Sequence, residues 1–510
     1  MAMSGSDASS SSRGLVLALR ESLAREASSR VVLIETHISW VLLAGAYAYK
    51  IKKPVRLSFV DFSTLALRHH FCEEELRLNR RYAPQLYIGV VPITGDAKSP
   101  QLGGRGDAIE FALKMHRMRD EDLAGARLSV GTLGAADFEH FAATLARWHR
   151  QAPVANADGA FGTPQRVAGD IDGVLGGWPD AADAAAIGDL ERWFGAQSLD
   201  TAQRVADRLA HGHVHECHGD LHVDNLAIIS GALTAFDCLE FDADLRWIDT
   251  TSEVAFLAMD LQARQRHDLA HAFVNAYLDA SGDHAALPLL RRYQVYRALV
   301  RARVARLRDA NGGSPAQSSI GGGYLALAQR LSRQWDPRLL VTHGLPGSGK
   351  SWVTHALVQA TGAIRLRSDV ERDRLLGGDH YQTTDSSAVY ERLRELAELS
   401  LTAGYPTIVD AASLQRAQRD PWPALAARLR VPYVLLHCDA PADVLRQRVR
   451  ERVLRGGDPS QADESVLQML TATQQPLADD ELARVLRVDT HQAVSAAALT
   501  AHWLAVRPAP

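Results

Sequence analysis

The sequence predicts two domains: an α+β body with a small β-rich lobe and a larger helical lobe, then an α/β domain built on a parallel sheet. Three observations carry this. At 510 residues the chain is too long for one ordinary domain. Segments rich in β-branched and aromatic residues crowd into residues 31–118 and then give way to helical patterns of Ala, Leu and Arg up to His213. Beyond residue 336, short apolar strands alternate with helical stretches, the order expected of a parallel sheet.

Residues 1–14 are Ser-rich and lack a long apolar run, which predicts a disordered tail. An amphipathic helix is expected over 15–27. Strands follow over 31–35, 40–43, 46–52 and 86–93, with a charged helix over 62–82 closed by Pro84, and a last strand over 111–118. The first domain is bounded at 15–310. Residues 311–335 read as a linker and short helix, because 311–323 holds five glycines, three serines and a proline. The second domain is bounded at 336–506, with strands expected at Leu339–His343, 363–366, 407–409, 433–438 and 484–488.

Apolar residues make up 46% of the chain and charged residues 23%, which predicts a globular and soluble protein. A formal charge of −4 supplies no basic field for wrapping nucleic acid. Cys72, Cys217, Cys238 and Cys438 form no CxxC pair, so they are expected to be reduced buried thiols, without zinc or disulfides. The longest apolar stretches, such as 40–48, are too short to span a bilayer. A cytoplasmic protein with no membrane partner is expected; oligomeric state is open.

The first chemical motif is His218-Gly219-Asp220-Leu221-His222-Val223-Asp224-Asn225, followed by an apolar run ending at Asp237. Phosphoryl transfer needs an acceptor for the substrate hydroxyl proton, metal ligands and a cation on the phosphates. A hairpin over 226–236 would bring Asp220, Asn225 and Asp237 together, with Asp220 as base and Asn225 and Asp237 on Mg²⁺. Lys50, in a strand, would be the cation. Alternation puts Lys52 on the same face, so Lys52 competes. Its acidic partner is expected from Glu73, Glu74 and Glu75, with Glu75 preferred to Glu74. His218 would orient the loop and His222 would pack.

HGDLHVDN with its downstream Asp resembles the aminoglycoside phosphotransferase-like family, relatives of the protein kinases, over roughly residues 15–310. The resemblance implies a bilobal protein-kinase-like fold, with Asp220 as catalytic base, Asn225 and Asp237 as metal ligands and Asp249 as a scaffolding acid. It departs from the kinase pattern in having no GxGxxG. The loop 36–39 would cover the phosphates instead, through Ser39 and backbone N–H groups. No acidic cluster suited to an aminoglycoside is present, which leaves the acceptor open.

The second motif, Gly344-Leu345-Pro346-Gly347-Ser348-Gly349-Lys350-Ser351, matches GxxxxGK[ST] between a strand and a helix. Gly344, Gly347, Ser348 and Gly349 would wrap backbone N–H groups around phosphates at a helix N-terminus. Lys350 would reach the β- and γ-phosphates and Ser351 would hold Mg²⁺. Asp369 is placed to deprotonate an acceptor and Arg372 to hold its anionic group. Asp410 ends an apolar strand near the metal. Arg448 and Arg452, four apart on a helix, form a candidate lid over ATP; Arg416 and Arg419 have weaker claims.

This set resembles the P-loop kinases that include polynucleotide 5′-kinases and zeta-toxin-like enzymes, over roughly 336–505, with Asp369 implied as base, Arg372 as clamp and Arg448 or Arg452 as lid. The fusion resembles bacterial bifunctional aminoglycoside phosphotransferase-like/ATP-binding proteins. The expected activity is therefore ATP- and Mg²⁺-dependent kinase chemistry in both halves, acting on hydroxyl groups of small metabolites. For the second half a nucleic-acid end competes, although roughly twenty basic residues beyond 336 are balanced by about as many acidic ones. The alternatives are a nucleotide-binding regulatory half controlling the other, or a polynucleotide- or zeta-toxin-like kinase.

Overall fold

A computed structural model describes residues 5–27, 30–57, 60–310, 315–377, 387–455 and 462–508. The chain forms two compact units, residues 1–170 with 199–257, and residues 171–198 with 258–510.

The first unit is built on a six-stranded antiparallel sheet. Its strands lie in the order Val32–Glu35, Ser39–Ala44, Tyr47–Lys52, Glu110–His116, Tyr87–Asp96 and Ser99–Leu102. Alternation along Tyr47–Lys52 sends Tyr49 and Ile51 into an apolar cluster with Trp40, Leu42, Ile93 and Ala112, which the helix Gly5–Ala27 covers with Val16 and Leu19. Lys50 and Lys52 therefore share the opposite face. The helix Leu65–Asn79 starts at Thr64, whose hydroxyl accepts from the Leu67 N–H. Further along, Leu226–Ile229 and Ala232–Ala235 form a hairpin closed by Ser230 and Gly231, both at positive φ, the turn that matches strand twist. This unit combines the antiparallel sheet with helices, an α+β body.

The second unit holds a five-stranded parallel sheet in the order Ile364–Arg367, Thr407–Asp410, Leu339–His343, Tyr433–Asp439, Val485–Asp489. Leu340, Ile408, Val434, Leu436 and Val488 pack with Val353, Leu357 and the fully buried Trp503 on one face. The order places Gly344 after the central strand, where the chain switches sides, as open parallel sheets do at their ligand sites.

Three sequence expectations differ from the described structure. The tail expected over 1–14 is helical from Gly5, with residues 1–4 outside the described residues. Serine costs a helix only about 0.5 kcal/mol relative to Ala, less than the gain from extending an existing helix. The linker expected over 311–323 is largely helix: Pro315–Arg333 is one element, while 311–314 lie outside the described residues. Packing beside Leu287–Ala310 outweighs about 1 kcal/mol per glycine, and Tyr324 Oη donates to the buried Asp260 Oδ1 at 2.5 Å. The division also departs from the expected 15–310 and 336–506, because 258–310 pack with the parallel sheet. Asn275 Nδ2 donates to Ala363 O at 3.0 Å, and its Oδ1 accepts from Arg365 N–H at 2.7 Å. Arg291 donates to the carbonyls of Ala403 and Gly404. Among the described residues no helix is long and apolar enough to cross a membrane.

Candidate functional site

In the first unit, Lys50 Nζ donates to Glu75 Oε1 at 2.7 Å and to Asp237 Oδ1 at 2.6 Å. Lys52 Nζ donates to Glu75 Oε2 at 2.8 Å and also to Glu240. Both lysines thus share Glu75, and Lys50 is the one that reaches Asp237. Glu74 lies elsewhere, on Arg77 and Arg246. Burial pushes the Lys50 ammonium down, but Asp237 and then Glu75 outweigh it and hold it well above its ordinary value. Burial also raises the Glu75 carboxyl, yet Lys50 and Lys52 hold it far below the usual range. Glu240 shares only one of those cations strongly, and burial leaves its carboxyl raised.

Asn225 Nδ2 donates to Asp220 O at 2.9 Å and to Asp220 Oδ2 at 3.1 Å, which fixes the Asp220 carboxylate. Asp237 sits at φ 61°, with its N–H donated to the Tyr87 hydroxyl at 3.0 Å. His218 Nε2 meets Phe236 O at 2.9 Å and so ties the Asp220 loop to the Asp237 segment. Exposure separates the groups: the Asp220 and Asp237 side chains are 40% and 46% exposed, whereas Glu75 is 1% exposed. The carboxylates face solvent while the cations sit behind them.

Several supporting residues escaped the sequence reading. Glu253 accepts from the Gly219 N–H at 2.8 Å and meets His149 Nε2 at 2.7 Å, so a buried carboxylate holds the backbone next to Asp220. Gly219 is required there: at φ 86°, a Cβ would lie 3.0 Å from Leu245 O. Arg208 is another: it pairs in bidentate fashion, at 2.5 and 2.8 Å, with Asp249, the acid expected to have a scaffolding role. No local pattern distinguishes Glu253 or His149 from ordinary helix residues; only Tyr87 and Glu240 lay near segments already singled out.

Ser39 is a correction. Its side chain is fully buried, and its N–H is donated to Thr36 Oγ1 at 3.0 Å, so neither group faces outward to meet a phosphate. Residue 39 opens a strand directly opposite Lys52, so the two side chains share a face and are buried together.

In the second unit the Gly344–Ser351 loop joins the central strand to the helix Lys350–Thr361. Gly344 has φ 146°, and a Cβ there would stand 2.3 Å from Cys438 O. Lys350 Nζ donates to Gly344 O at 2.8 Å and Leu345 O at 2.9 Å. Burial lowers the Lys350 pKa, against the pull of Asp410 and, more weakly, Asp369. Ser348 is buried, its Oγ without a hydrogen-bond partner among the described residues, and Gly347 O accepts from Arg448 at 3.1 Å. Arg448 also binds Thr490, whose hydroxyl donates to Ser348 O at 3.0 Å. Gly349 packs against that same Thr490, at φ 81°.

Asp410 ends its strand buried beside this helix, but it accepts from Thr354 Oγ1 at 2.9 Å, while Ser351 itself is exposed one turn earlier. Thr354 was missed, although its i+3 spacing from Ser351 was visible. Asp369 and Arg372 open the helix Ser368–Leu376 and both act electrostatically on Tyr390, whose hydroxyl accepts from the Ser413 N–H. Arg452 donates to Ala462 O at 2.6 Å and lies near enough to Lys350 to lower its pKa. Arg416 and Arg419 do not reach the loop: Arg416 pairs with Asp480 and Asp420, and the buried Arg419 pairs with Glu481.

Directly before the loop, His343 Nδ1 meets His437 Nδ1 at 2.8 Å. Burial, followed by His437, pushes His343 down to about 3. A histidine held neutral in the fold contributes stability that is complete above its unfolded pKa and lost as pH falls toward 3. Between pH 7 and pH 5 this costs about 2 kcal/mol. His343→Gln should flatten the fall in urea midpoint of the second unit over that range; an unchanged slope would mean that the imidazole is not held neutral.

A family model described as an AAA domain (AAA_33) matches residues 339–477. The uncharacterized protein Rv2004c of Mycobacterium tuberculosis (strain ATCC 25618 / H37Rv) is 30% identical over 456 residues, 86% of this chain and 89% of that protein. Among solved structures, a sugar kinase from Janibacter sp. HTCC2649 is 26% identical with a TM-score of 0.26, covering 33% of this chain and 94% of its own. A choline/ethanolamine kinase family protein from Mesorhizobium loti is 12% identical with a TM-score of 0.38, covering 62% of this chain and 95% of its own.

Proposed function

The chain belongs to the family that contains Rv2004c, and from that starting point we propose that it is an ATP-dependent phosphotransferase with two kinase-type centres. One observation carries the reading: Lys50 joins Glu75 and Asp237, residues far apart in sequence, while Asn225 fixes Asp220 on the adjoining loop. A cation, two open carboxylates and an oriented third group have little reason to converge unless they handle a charged ligand.

At the first centre, Lys50 would hold the phosphates, and Asn225 and Asp237 would hold Mg²⁺. The residues fit this task, because Asp237 is open to solvent and positioned by Tyr87 while Lys50 is anchored behind it. Mg²⁺ would neutralise charge on the transferring group. Asp220 would accept the proton of the substrate hydroxyl as its oxygen bonds to the γ-phosphorus and the bridging P–O bond to ADP breaks.

At the second centre, the backbone of Gly344, Gly347, Ser348 and Gly349 would cradle the phosphates. Lys350 would leave its two carbonyl partners to meet them. Ser351 and Asp410 would hold Mg²⁺, Thr354 positioning Asp410. Asp369 would take the acceptor proton, Arg372 would hold the acceptor, Arg448 would brace the loop through Gly347 O, and Arg452 would serve as the lid over ATP. A small metabolite is the proposed acceptor for both centres; a nucleic-acid end is the competing class for the second.

The test measures ADP formation from Mg·ATP with and without a cytosolic metabolite extract, followed by mass spectrometry of new phosphorylated products. Lys350→Ala is expected to remove one acceptor-dependent share of turnover and Asp220→Ala another. If Lys350→Ala silences everything while Asp220→Ala changes nothing, the first unit is a binding or regulatory module and the two-centre proposal fails.

A further inference from the structure

We propose that the second unit carries a separate ligand site, for a small organic anion, at the end of its sheet opposite the Gly344–Ser351 loop. The strands run in parallel toward that loop, so the starts of Tyr433–Asp439 and Val485–Asp489 lie at the far end. A cavity of about 280 Å³ opens there. Its floor is apolar, from Val431, Val434, Val485 and Leu486, with Tyr433 beside them. Arg430, Arg484, Arg507 and His502 also line it, and no Asp or Glu does.

All three arginines stand exposed at the rim of the cavity. Among the described residues, none of the three guanidinium groups has an ion-pair or hydrogen-bond partner. Arg428, two residues before Arg430, is by contrast paired with Glu398. Arg484 acts electrostatically on Asp480, but that carboxylate is already engaged by Arg416 at 2.6 Å.

The competing explanation is helix capping. The helices Pro421–Leu429 and Ala496–Ala505 both end here, and a C-terminus carries roughly −0.5 charge. Two ends account for about one positive charge of the three, which leaves a surplus of about two. Arg430 adds an independent sign. It follows its helix at φ 56°, ψ 41°, in the left-handed region that glycine fills without strain. An arginine at that position sacrifices backbone comfort and gains a guanidinium beside the cavity.

Planar guanidiniums favour carboxylate and phosphate oxygens, and the apolar floor suits a ring or short chain. The ligand class is therefore an apolar body of a few carbons bearing one such head group. This site stands apart from the phosphotransferase reading and does not depend on it.

The test titrates benzoate, phenyl phosphate and the neutral benzyl alcohol into the full-length protein by calorimetry. At least one anion should bind saturably, with Kd on the order of 1 mM and about tenfold tighter than the alcohol. Arg430→Gly/Arg484→Gln/Arg507→Gln should bring that anion down to the level of the alcohol, while Lys350→Ala should leave its binding unchanged. The tighter anion identifies the head group. Arg430→Gly alone relieves the backbone, so it should melt no lower than wild type yet bind more weakly, which separates lost binding from lost folding. No preference for either anion, or binding that survives the triple substitution and vanishes in Lys350→Ala, would overturn the proposal.

Discussion

Asp220→Asn is expected to lower the acceptor-dependent turnover of the first centre by about 10²–10⁴, the usual contribution of a positioned base. The amide keeps the shape of the carboxylate and the reach to Asn225, so the loop held by Glu253 should keep its geometry. What it loses is the ability to take a proton. Nucleotide affinity, measured by calorimetry with ADP, should change little, because Asp220 is not among the groups assigned to the phosphates. A large loss of ADP binding with turnover unaffected would remove Asp220 from the role of base and recast it as a nucleotide ligand.

Glu75→Gln should act in the opposite way, mainly on the fold. Glu75 is the common partner of two lysines, one of them wholly buried. Removing one member of a buried ion pair typically costs about 3–5 kcal/mol, because the remaining charge keeps its desolvation penalty. Here Lys52 retains Glu240 and Lys50 retains Asp237, which puts the expected loss near the lower end of that range. The loss should appear as a lower urea midpoint. Lys50, no longer held from behind, should also rest more fully on Asp237, weakening nucleotide binding. A neutral effect on both would show that the shared carboxylate is dispensable.

Much of this was legible in the sequence wherever chemistry and chain geometry are both local. The GxxxxGK[ST] spacing locates Gly344, Lys350 and Ser351 because a phosphate loop is one continuous turn, and strand alternation placed Lys50 and Lys52 on one face. Position within the strand also explains the error at Ser39: loop proximity suggested exposure, whereas pairing opposite Lys52 turned it inward. Glu253, His149 and Glu240 were illegible for another reason. Each acts across long sequence distances, and a carboxylate on a helix looks the same whether it anchors a loop or meets water. The expected linker over 311–323 gave way to helix because glycine and serine signal a break only when no neighbouring helix compensates; Pro315–Arg333 has one in Leu287–Ala310.

The Asn275 amide has a consequence for self-association. The strand Ile364–Arg367 ends the parallel sheet on one side, and an outermost strand offers free N–H and C=O groups to any other chain. Asn275 occupies two of them, the Arg365 N–H and the Ala363 carbonyl, in the pattern that an incoming strand would use. The helix His267–Ser281 therefore guards the sheet against templated growth. A fragment beginning at residue 336 would keep the whole phosphate loop and lose this guard, and it should aggregate through that edge even if its sheet forms correctly.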